Sequence, residues 1–256
     1  MILRDVMRET LDRAGLLKTV RRTRRRFHNL LDHFFFQSPN WQRYILLNDE
    51  PYTSNFTTQY GQTTLKHCID TFMPSQLKNA RILDIGAADG CGMTLLQQKY
   101  NGNCEVYGLS INRFEVSDVR KKRTLRIRRG DMHSIPFRDE FFDVIFCKDT
   151  FEHSIAPYIA LCEMNRVLKK QGLALFINPS PRDQRYLKVT YHFTILERWQ
   201  MEMLLYKCHF HLEKVEEYQH PGGGPYDVYF CRKLDNCDPK SPKSYPEIYE
   251  NKSRFI

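Results

Sequence analysis

The stretch Arg81-Ile82-Leu83-Asp84-Ile85-Gly86-Ala87-Ala88-Asp89-Gly90-Cys91-Gly92 decides the fold of this chain. Its apolar start predicts a buried strand, its small residues predict a tight loop, and residues 93–98 predict the helix that follows. Because glycine has no Cβ, a ligand can lie close against the backbone of such a loop. The N–H groups at the start of the helix favour a polar or anionic ligand group. Asp84, at the carboxyl end of the strand, offers a carboxylate to a cationic or hydroxylic group.

The spacing of the small residues disfavours two common phosphate-binding loops. Gly86, Ala88 and Gly90 stand at positions i, i+2 and i+4, but Cys91 occupies i+5, where a dinucleotide-binding loop has glycine or alanine. The Gly-Lys-Ser/Thr of a P-loop is also absent from this stretch. A tight turn between a strand and a helix, without any ligand, remains an alternative from this motif alone.

Length, composition and charge predict one substantial domain with extensions. The chain has 256 residues, of which 41% are hydrophobic. We divide it into a basic helical extension and cap (residues 1–58), a main domain (residues 59–234) and a tail (residues 235–256). The formal net charge is +9; the first 33 residues hold nine Arg and Lys against four Asp and Glu, so +5 of it lies in the extension.

The N-terminal extension carries apolar residues at helical spacing on both sides of the cluster Arg21–Arg26. One interpretation is a basic helix that makes peripheral contact with a membrane surface or an acidic partner. The favoured interpretation is a helical extension that packs on the domain and exposes its arginines to water. Nucleic acid is disfavoured as a partner, because Phe27, Phe34 and Phe35 have the spacing of a core stripe rather than of a base-stacking platform.

The eight cysteines are scattered, and none forms a Cys-x-x-Cys pair. This spacing predicts no zinc site, and no metal ligand is assigned. Several cysteines lie in apolar runs, as reduced thiols in a core do, which predicts a cytoplasmic protein. No apolar run approaches the roughly 18 residues of a membrane span, and residues 1–6 lack the apolar core of a signal peptide.

Strands alternate with helices after the opening stretch. Strands are predicted near residues 104–109, 124–128, 142–147, 173–177, 210–218 and 226–233. A helix is predicted over about residues 155–169, with Gly172 ending it. This order predicts an α/β fold with a doubly wound, mainly parallel, seven-stranded sheet. Ligands bind outside the carboxyl ends of the strands in such sheets. The polar residues predicted to follow those ends are Asp84, Ser110, Asp131 and Asp149.

An ordered series of motifs in the second half of the domain is more specific than the glycine loop. The series is Gly130-Asp131-Met132-His133-Ser134-Ile135-Pro136-Phe137, then Phe142-Asp143-Val144-Ile145, Glu152-His153, and Glu163-x-x-Arg166-Val167-Leu168-Lys169-Lys170-x-Gly172. With the glycine loop, it resembles class I S-adenosylmethionine (SAM)-dependent methyltransferases of the methyltransferase type 11 family. The resemblance covers roughly residues 60–234. It implies a Rossmann-like fold, SAM as the cofactor and methyl transfer as the reaction.

The resemblance also implies a set of cofactor-binding residues. They are Asp84, Gly86, Ala87, Ala88, Gly90, Ser110, Ile111, Asn112, Asp131, Met132 and Lys148. By this likeness the small residues of the loop wrap the methionine part of SAM, and Asp84 anchors its amino end. Asp131 faces the adenine amino group with Met132 against the ring, and Lys148 borders SAM after the fourth strand.

Ser110 departs from the family pattern. Members commonly end the second strand with an acid whose carboxylate holds both ribose hydroxyls, whereas a serine hydroxyl makes a weaker contact. Asn112 is placed to assist it. This departure keeps open a non-catalytic member of the family.

Histidines are the candidates for a general base, because their ordinary pKa suits proton transfer near neutrality. His153 follows the fourth strand, and His192 lies at the usual edge of the acceptor pocket in this family. His133 is a weaker candidate. Aromatic residues within 52–60 and 186–199 are expected to line an apolar acceptor pocket.

The leading hypothesis is therefore an enzyme that transfers a methyl group from SAM to an oxygen, nitrogen or carbon of a small-molecule acceptor. The alternative is a non-catalytic interaction protein with the same fold, which uses its basic N-terminal arm to bind a membrane surface or nucleic acid. An NAD-dependent reductase is a third hypothesis, and the missing third glycine and the missing acid at Ser110 both disfavour it.

Overall fold

The computed structural model describes residues 59–121, 124–220 and 223–234. The predicted N-terminal helical extension and cap (residues 1–58) and the tail (residues 235–256) lie outside the described residues, as do Tyr52 and Phe56 of the expected acceptor pocket. The three-part division of the chain therefore stays a prediction. Among the residues that the structure describes, every helix is too short or too polar to span a membrane.

Within these residues, strands and helices alternate as the sequence predicted. The strands are β1 (Arg81–Ile85), β2 (Glu105–Ser110), β3 (Arg126–Arg129), β4 (Phe142–Lys148), β5 (Leu168–Pro179), β6 (Phe210–Gln219) and β7 (Pro225–Lys233). The helices are α1 (Gln59–Phe72), α2 (Cys91–Lys99), α3 (Arg113–Lys121), α4 (Pro157–Val167), α5 (Gln184–Leu187) and α6 (Arg198–Lys207). One 3₁₀ turn, Phe151–His153, follows β4.

All seven strands form one sheet, in the order β3-β2-β1-β4-β5-β7-β6. The pairs β1–β2, β1–β4, β2–β3 and β4–β5 are parallel, whereas β7 runs antiparallel to β5 and β6. The predicted doubly wound, mainly parallel fold is confirmed. Because the strand order reverses between β1 and β4, the carboxyl ends of these two strands flank the crevice where such sheets bind ligands.

The core lies on both faces of the sheet, and β1 shows how the sequence builds it. Ile82 points into a cluster with Met93 and Leu96 of α2, whereas Leu83 and Ile85 belong to the cluster on the opposite face. All three strand residues are at most 1% exposed. Because burial of each such side chain stabilises the fold by about 1.5–3 kcal/mol, β1 is a rigid support for the loop that follows it.

The prediction that Gly172 ends the helix before β5 is wrong. Helix α4 ends at Val167, and the chain is extended from the next residue, where Leu168 pairs with Phe142 of β4. The register between β4 and β5 then shifts, and Gln171 adopts a positive φ of 58°. From Leu168 to Leu173 β5 takes five steps against two in β4, so Gly172 lies in a bulge formed by three extra residues of β5.

Candidate functional site

The loop after β1 is held between two neighbouring strands. The N–H groups of Gly86 and Ala87 both donate to the carbonyl of Leu109 in β2, at 2.9 and 3.0 Å. Gly86 has a φ of +81°, and a Cβ there would lie 2.0 Å from Oγ1 of Thr150, which follows β4. Glycine is thus required at this position by the protein's own packing at the switch point of the sheet.

The rest of the loop has left-handed backbone at Ala88, which is not a glycine, and again at Gly90. Ala88 has a φ of +42° and Gly90 a φ of +80°. The N–H of Gly90 donates to the carbonyl of Ala87 at 2.8 Å, and Ala87 itself is buried in the core. Because the left-handed region is costly for a residue with a Cβ, the surrounding structure must hold Ala88 in place.

Carboxylates, rather than open N–H groups, surround the end of β1. The Asp89 carboxylate accepts a hydrogen bond from the first N–H of α2, that of Cys91, at 3.0 Å. Asp84 is 5% exposed. Burial, and then the nearby Asp89, raise the pKa of Asp84 to about 7. The expected preference for an anionic group at this helix start is therefore corrected, because the acids favour a cation.

The Asp84 carboxylate lies directly against the start of α2. A Cβ on Gly92 would stand 2.6 Å from Oδ2 of Asp84. The absence of a side chain at residue 92 therefore leaves room for the carboxylate beside the helix.

The end of β2 carries an acid that the sequence analysis did not assign. The hydroxyl of Ser110 donates to Oε2 of Glu115 in α3 at 2.8 Å and accepts the N–H of Asn112 at 3.2 Å. Asn112 in turn accepts the N–H of Glu115 at 3.3 Å, and the carbonyl of Ile111 accepts Nε of Arg129 at 3.2 Å. Burial and Asp89 raise the pKa of Glu115. A carboxylate thus reaches the end of β2 from a residue five positions after Ser110, and the Asn-x-x-Glu pattern of residues 112–115 is typical of such a helix start.

Asp131, after β3, is positioned by a chain of hydrogen bonds. Its Oδ1 accepts the backbone N–H of His133 at 2.7 Å and lies 2.5 Å from Nδ1 of the same residue. Nε2 of His133 lies 2.8 Å from the hydroxyl of the buried Ser154. Oδ2 of Asp131 is buried without a hydrogen-bond partner among the described residues. His133 therefore orients Asp131, and one carboxylate oxygen remains for a ligand. The adjoining Met132 is 9% exposed.

Lys148 ends β4 with its side chain inside the protein. Its ammonium contacts Oδ2 of Asp149 and lies 5.6 Å from the centre of the Tyr226 ring. Burial alone would lower the pKa of Lys148, but the negative charge of Asp149 and further groups outweigh it and raise that pKa. Oδ1 of Asp149 is buried without a hydrogen-bond partner among the described residues.

The two candidate bases, His153 and His192, lie side by side although 39 positions separate them. Their ring centres are 5.2 Å apart. Nδ1 of His153 lies 3.0 Å from the carbonyl of Tyr191, and Nδ1 of His192 lies 3.0 Å from that of Tyr186. Burial is the main cause that lowers the pKa of both histidines. Each ring is therefore neutral near pH 7, with the Nδ1 proton donated to a carbonyl and a lone pair on Nε2.

Glu152 joins this pair of histidines and was not assigned from the sequence. It is 2% exposed, its Oε1 lies 4.0 Å from Nε2 of His153, and its Oε2 is buried without a hydrogen-bond partner among the described residues. Burial and the negative charge of Asp149 raise the pKa of Glu152 well above its usual range.

A small cleft lies beside the end of β5. Its lining residues are Phe151, Asn178, Pro179, Thr194, Leu196, Met201 and Tyr229. Segment 186–199, which we expected to line an acceptor pocket, contributes Thr194 and Leu196 to this cleft. Its aromatic residues Tyr191, Phe193 and Trp199 are instead 43–54% exposed.

Comparisons with known proteins agree with this architecture. Residues 83–176 match the family model described as "Methyltransferase domain". Glycine/sarcosine/dimethylglycine N-methyltransferase of Actinopolyspora halophila is 32% identical over 112 residues, which are 40% of this chain and 19% of that protein. The curated relatives that head the comparison are matched over about a fifth to a half of their own length.

Solved structures share the fold at low sequence identity. A geranyl diphosphate methyltransferase, solved in complex with GPP and sinefungin, has a TM-score of 0.57 and 13% identity over 67% of this chain and 78% of its own. The cyclase SpnF has a TM-score of 0.57 and 14% identity over 70% of this chain and 82% of its own. The fold is thus shared with proteins named for different reactions. Over residues 83–176 the chain is therefore similar to the methyltransferase-domain family, and its fold is that of the solved methyltransferases.

Proposed function

We propose that this protein binds SAM at the carboxyl ends of β1 to β4 and transfers its methyl group to an oxygen, nitrogen or carbon of a small-molecule acceptor. The observation that carries the proposal is a pair of buried carboxylates at the strand ends: Oδ2 of Asp131 has no hydrogen-bond partner among the described residues, and burial raises the pKa of Asp84 to about 7. A buried carboxylate without a partner costs stability, so a ligand with donors or positive charge gains by pairing with it. SAM carries an ammonium group, a sulfonium cation and an adenine amino group.

Each end of the cofactor has a matching group in this site. Asp84 would hold the ammonium group beside the loop of Gly86 and Gly90, and Oδ2 of Asp131 would accept the adenine amino group. The pair Ser110 and Glu115 would accept the ribose hydroxyls, since Glu115 brings a carboxylate to the end of β2. Glu115 would thus provide the carboxylate that residue 110, a serine, does not. The acids of the site also favour SAM over NAD, because the NAD diphosphate would meet Asp84, Asp89 and Glu115 as like charges.

When SAM is bound, its sulfonium supplies an already activated methyl group. The work of the protein is then to align the acceptor and exclude water. For an acceptor that must lose a proton, His153 and His192 offer Nε2 lone pairs near the end of β4, with their rings oriented by the carbonyls of Tyr191 and Tyr186. The glycine and sarcosine named for the relative, and the GPP named for the structural neighbour, support a small-molecule acceptor.

Calorimetry with SAM and S-adenosylhomocysteine tests the cofactor, with NAD as the control ligand. We expect both sulfur compounds to bind and NAD to give no signal. Asp131→Asn should weaken SAM binding about 10- to 100-fold, because an amide N–H₂ would replace the acceptor oxygen and a hydrogen bond to a charged group contributes about 1.5–3 kcal/mol. The matched control is Asp70→Asn on the exposed face of α1, which should leave SAM affinity unchanged.

Two outcomes would contradict this proposal. Equal SAM affinity in Asp131→Asn and the native protein would overturn the assignment of Asp131. A folded native protein that binds neither SAM nor S-adenosylhomocysteine would overturn the enzyme proposal and favour the interaction protein. If SAM binds, labelled methyl groups can then be followed into amine, carboxylate and hydroxyl acceptors.

A further inference from the structure

We propose that Glu152, His153 and His192 form a binding site for a divalent transition-metal ion, with Zn²⁺ as the reference ion. The inference deepens the proposed function, because the site lies after β4, where an acceptor would approach. Zinc binding itself does not require SAM, so the two proposals can fail separately.

The first argument is the choice and position of the ligand atoms. One nitrogen from each histidine and one carboxylate oxygen of Glu152 lie within 4.8 Å of one another. Two ligands at about 2.1 Å from a tetrahedral zinc are about 3.4 Å apart, so the widest pair of ligand atoms would close by about 1.4 Å when the ion binds. Two histidines and one carboxylate, with a position left for water or substrate, are typical of catalytic zinc sites.

The second argument is the orientation of the rings. A histidine that binds a metal usually donates its other ring N–H to a backbone carbonyl or a carboxylate. Both histidines here have Nδ1 at 3.0 Å from a backbone carbonyl, that of Tyr191 for His153 and that of Tyr186 for His192. Both Nε2 atoms therefore carry the lone pair that a metal needs.

The third argument is the rigidity of the two segments. The carbonyl of Glu152 accepts the N–H groups of Phe193 and Thr194, at 2.8 and 2.9 Å. The hydroxyl of Thr194 donates to the carbonyl of Ser154 at 2.5 Å. These three hydrogen bonds join the turn after β4 to the segment of His192, so the ligands are held in place before an ion arrives.

The fourth argument is a pair of buried carboxyl oxygens without hydrogen-bond partners. Oε2 of Glu152 and Oδ1 of Asp149 are both buried without a hydrogen-bond partner among the described residues. Lys148 contacts the other oxygen of Asp149. A divalent cation beside Glu152 would give its carboxyl group a partner, and the His153 side chain, 24% exposed, gives the ion a route from solvent.

A bound ion with an open position would hold an oxygen of the acceptor or a water molecule. Metal coordination lowers the pKa of such an oxygen-bound proton. An acceptor with a hydroxyl or carboxylate group is therefore the class that this site fits.

The experiment measures Zn²⁺ binding by calorimetry on the full chain after removal of bound metals with a chelator. We expect one Zn²⁺ per chain at this site and a loss of more than about 10-fold in affinity in His192→Ala and in Glu152→Ala. His211→Ala is the matched control, because His211 lies exposed on β6, and its affinity should equal that of the native protein. SAM binding by each variant reports whether its cofactor site is intact.

The cysteines of the chain could bind zinc elsewhere, so Co²⁺ spectroscopy on the native protein identifies the ligands. We expect a cobalt spectrum without a thiolate-to-metal charge-transfer band, and the same spectrum in His211→Ala. A thiolate band, native affinity in His192→Ala, or no Zn²⁺ binding by a native protein that binds SAM would each overturn the proposal. Zn²⁺ binding without SAM binding would support the metal site and contradict the proposed function instead.

Discussion

At the scale of single residues, Asp84 predicts a specific pH dependence. The folded protein holds the proton of Asp84 up to a pKa of about 7, whereas the unfolded chain releases it near the ordinary value of 3.8. The free energy of unfolding of the ligand-free protein should therefore fall as pH rises from about 4 to about 7. Asp84→Asn, which cannot ionise, should remove this fall and be the more stable protein above pH 7.

A cationic ligand prefers the ionised carboxylate, so SAM affinity should rise with pH through about 7 in the native protein and stay flat in the variant. Urea denaturation and calorimetry between about pH 5 and 8 measure both effects, and parallel pH profiles for the two proteins would contradict them.

Residues that lie near one another in sequence were predictable, whereas partners from distant segments were not. Asp84, Ser110, Asp131 and Asp149 follow from the rule that strand ends carry the site, because each lies within two residues of the end of its strand. Glu115 was not predicted as a site residue, because its position in α3 indicates a helix residue rather than a residue at a strand end. The histidine pair was proposed as two separate bases, since only tertiary structure brings His192 to His153 and Glu152.

At the scale of elements, the loop between β1 and α2 predicts unequal effects of the same substitution at two glycines. Gly86 and Gly102 have similar φ values, +81° and +72°, but a Cβ at residue 86 meets Thr150 at 2.0 Å and one at residue 102 meets nothing within 4 Å. Gly102→Ala should therefore lower the free energy of unfolding by about 1–2 kcal/mol, the cost of the left-handed backbone alone. Gly86→Ala should lower it by about 2–5 kcal/mol, because overpacking adds to that cost. Thr150→Ala in the Gly86→Ala background should restore part of the loss. Equal losses at both glycines in urea denaturation would show that packing against Thr150 does not constrain the loop.

Elements with one strong local signal were predicted, and those decided by pairing were not. The buried apolar run of β1 and the glycine corner specify a strand and a turn locally. The end of α4 was misplaced because Gly172 is a typical helix stop, while the pairing of Leu168 with Phe142 makes the chain extended earlier. Tertiary pairing prevailed there over local preference, as it often does at element boundaries.

At the scale of the whole molecule, the proposed cofactor site should couple to global stability. Its residues come from the ends of four strands, from Asp84 in β1 to Lys148 in β4, so only the fully folded sheet assembles it. A ligand that binds the folded state alone adds about 2.7 kcal/mol at a concentration 100 times its Kd. For a domain of this size, that corresponds to a rise in Tm of about 5–10 °C.

Asp131→Asn, with its 10- to 100-fold weaker binding, should show at most about half of this shift at the same SAM concentration. Thermal unfolding followed by circular dichroism, with and without SAM, measures both shifts. Asp70→Asn should shift as the native protein does, because the Asp70 carboxylate is exposed and pairs with Lys66 on the surface of α1. A rise in Tm that is the same in Asp131→Asn and the native protein would place the ligand elsewhere. No rise in a native protein that binds SAM by calorimetry would mean that the ligand also binds the unfolded chain, which a site assembled from four strands does not allow.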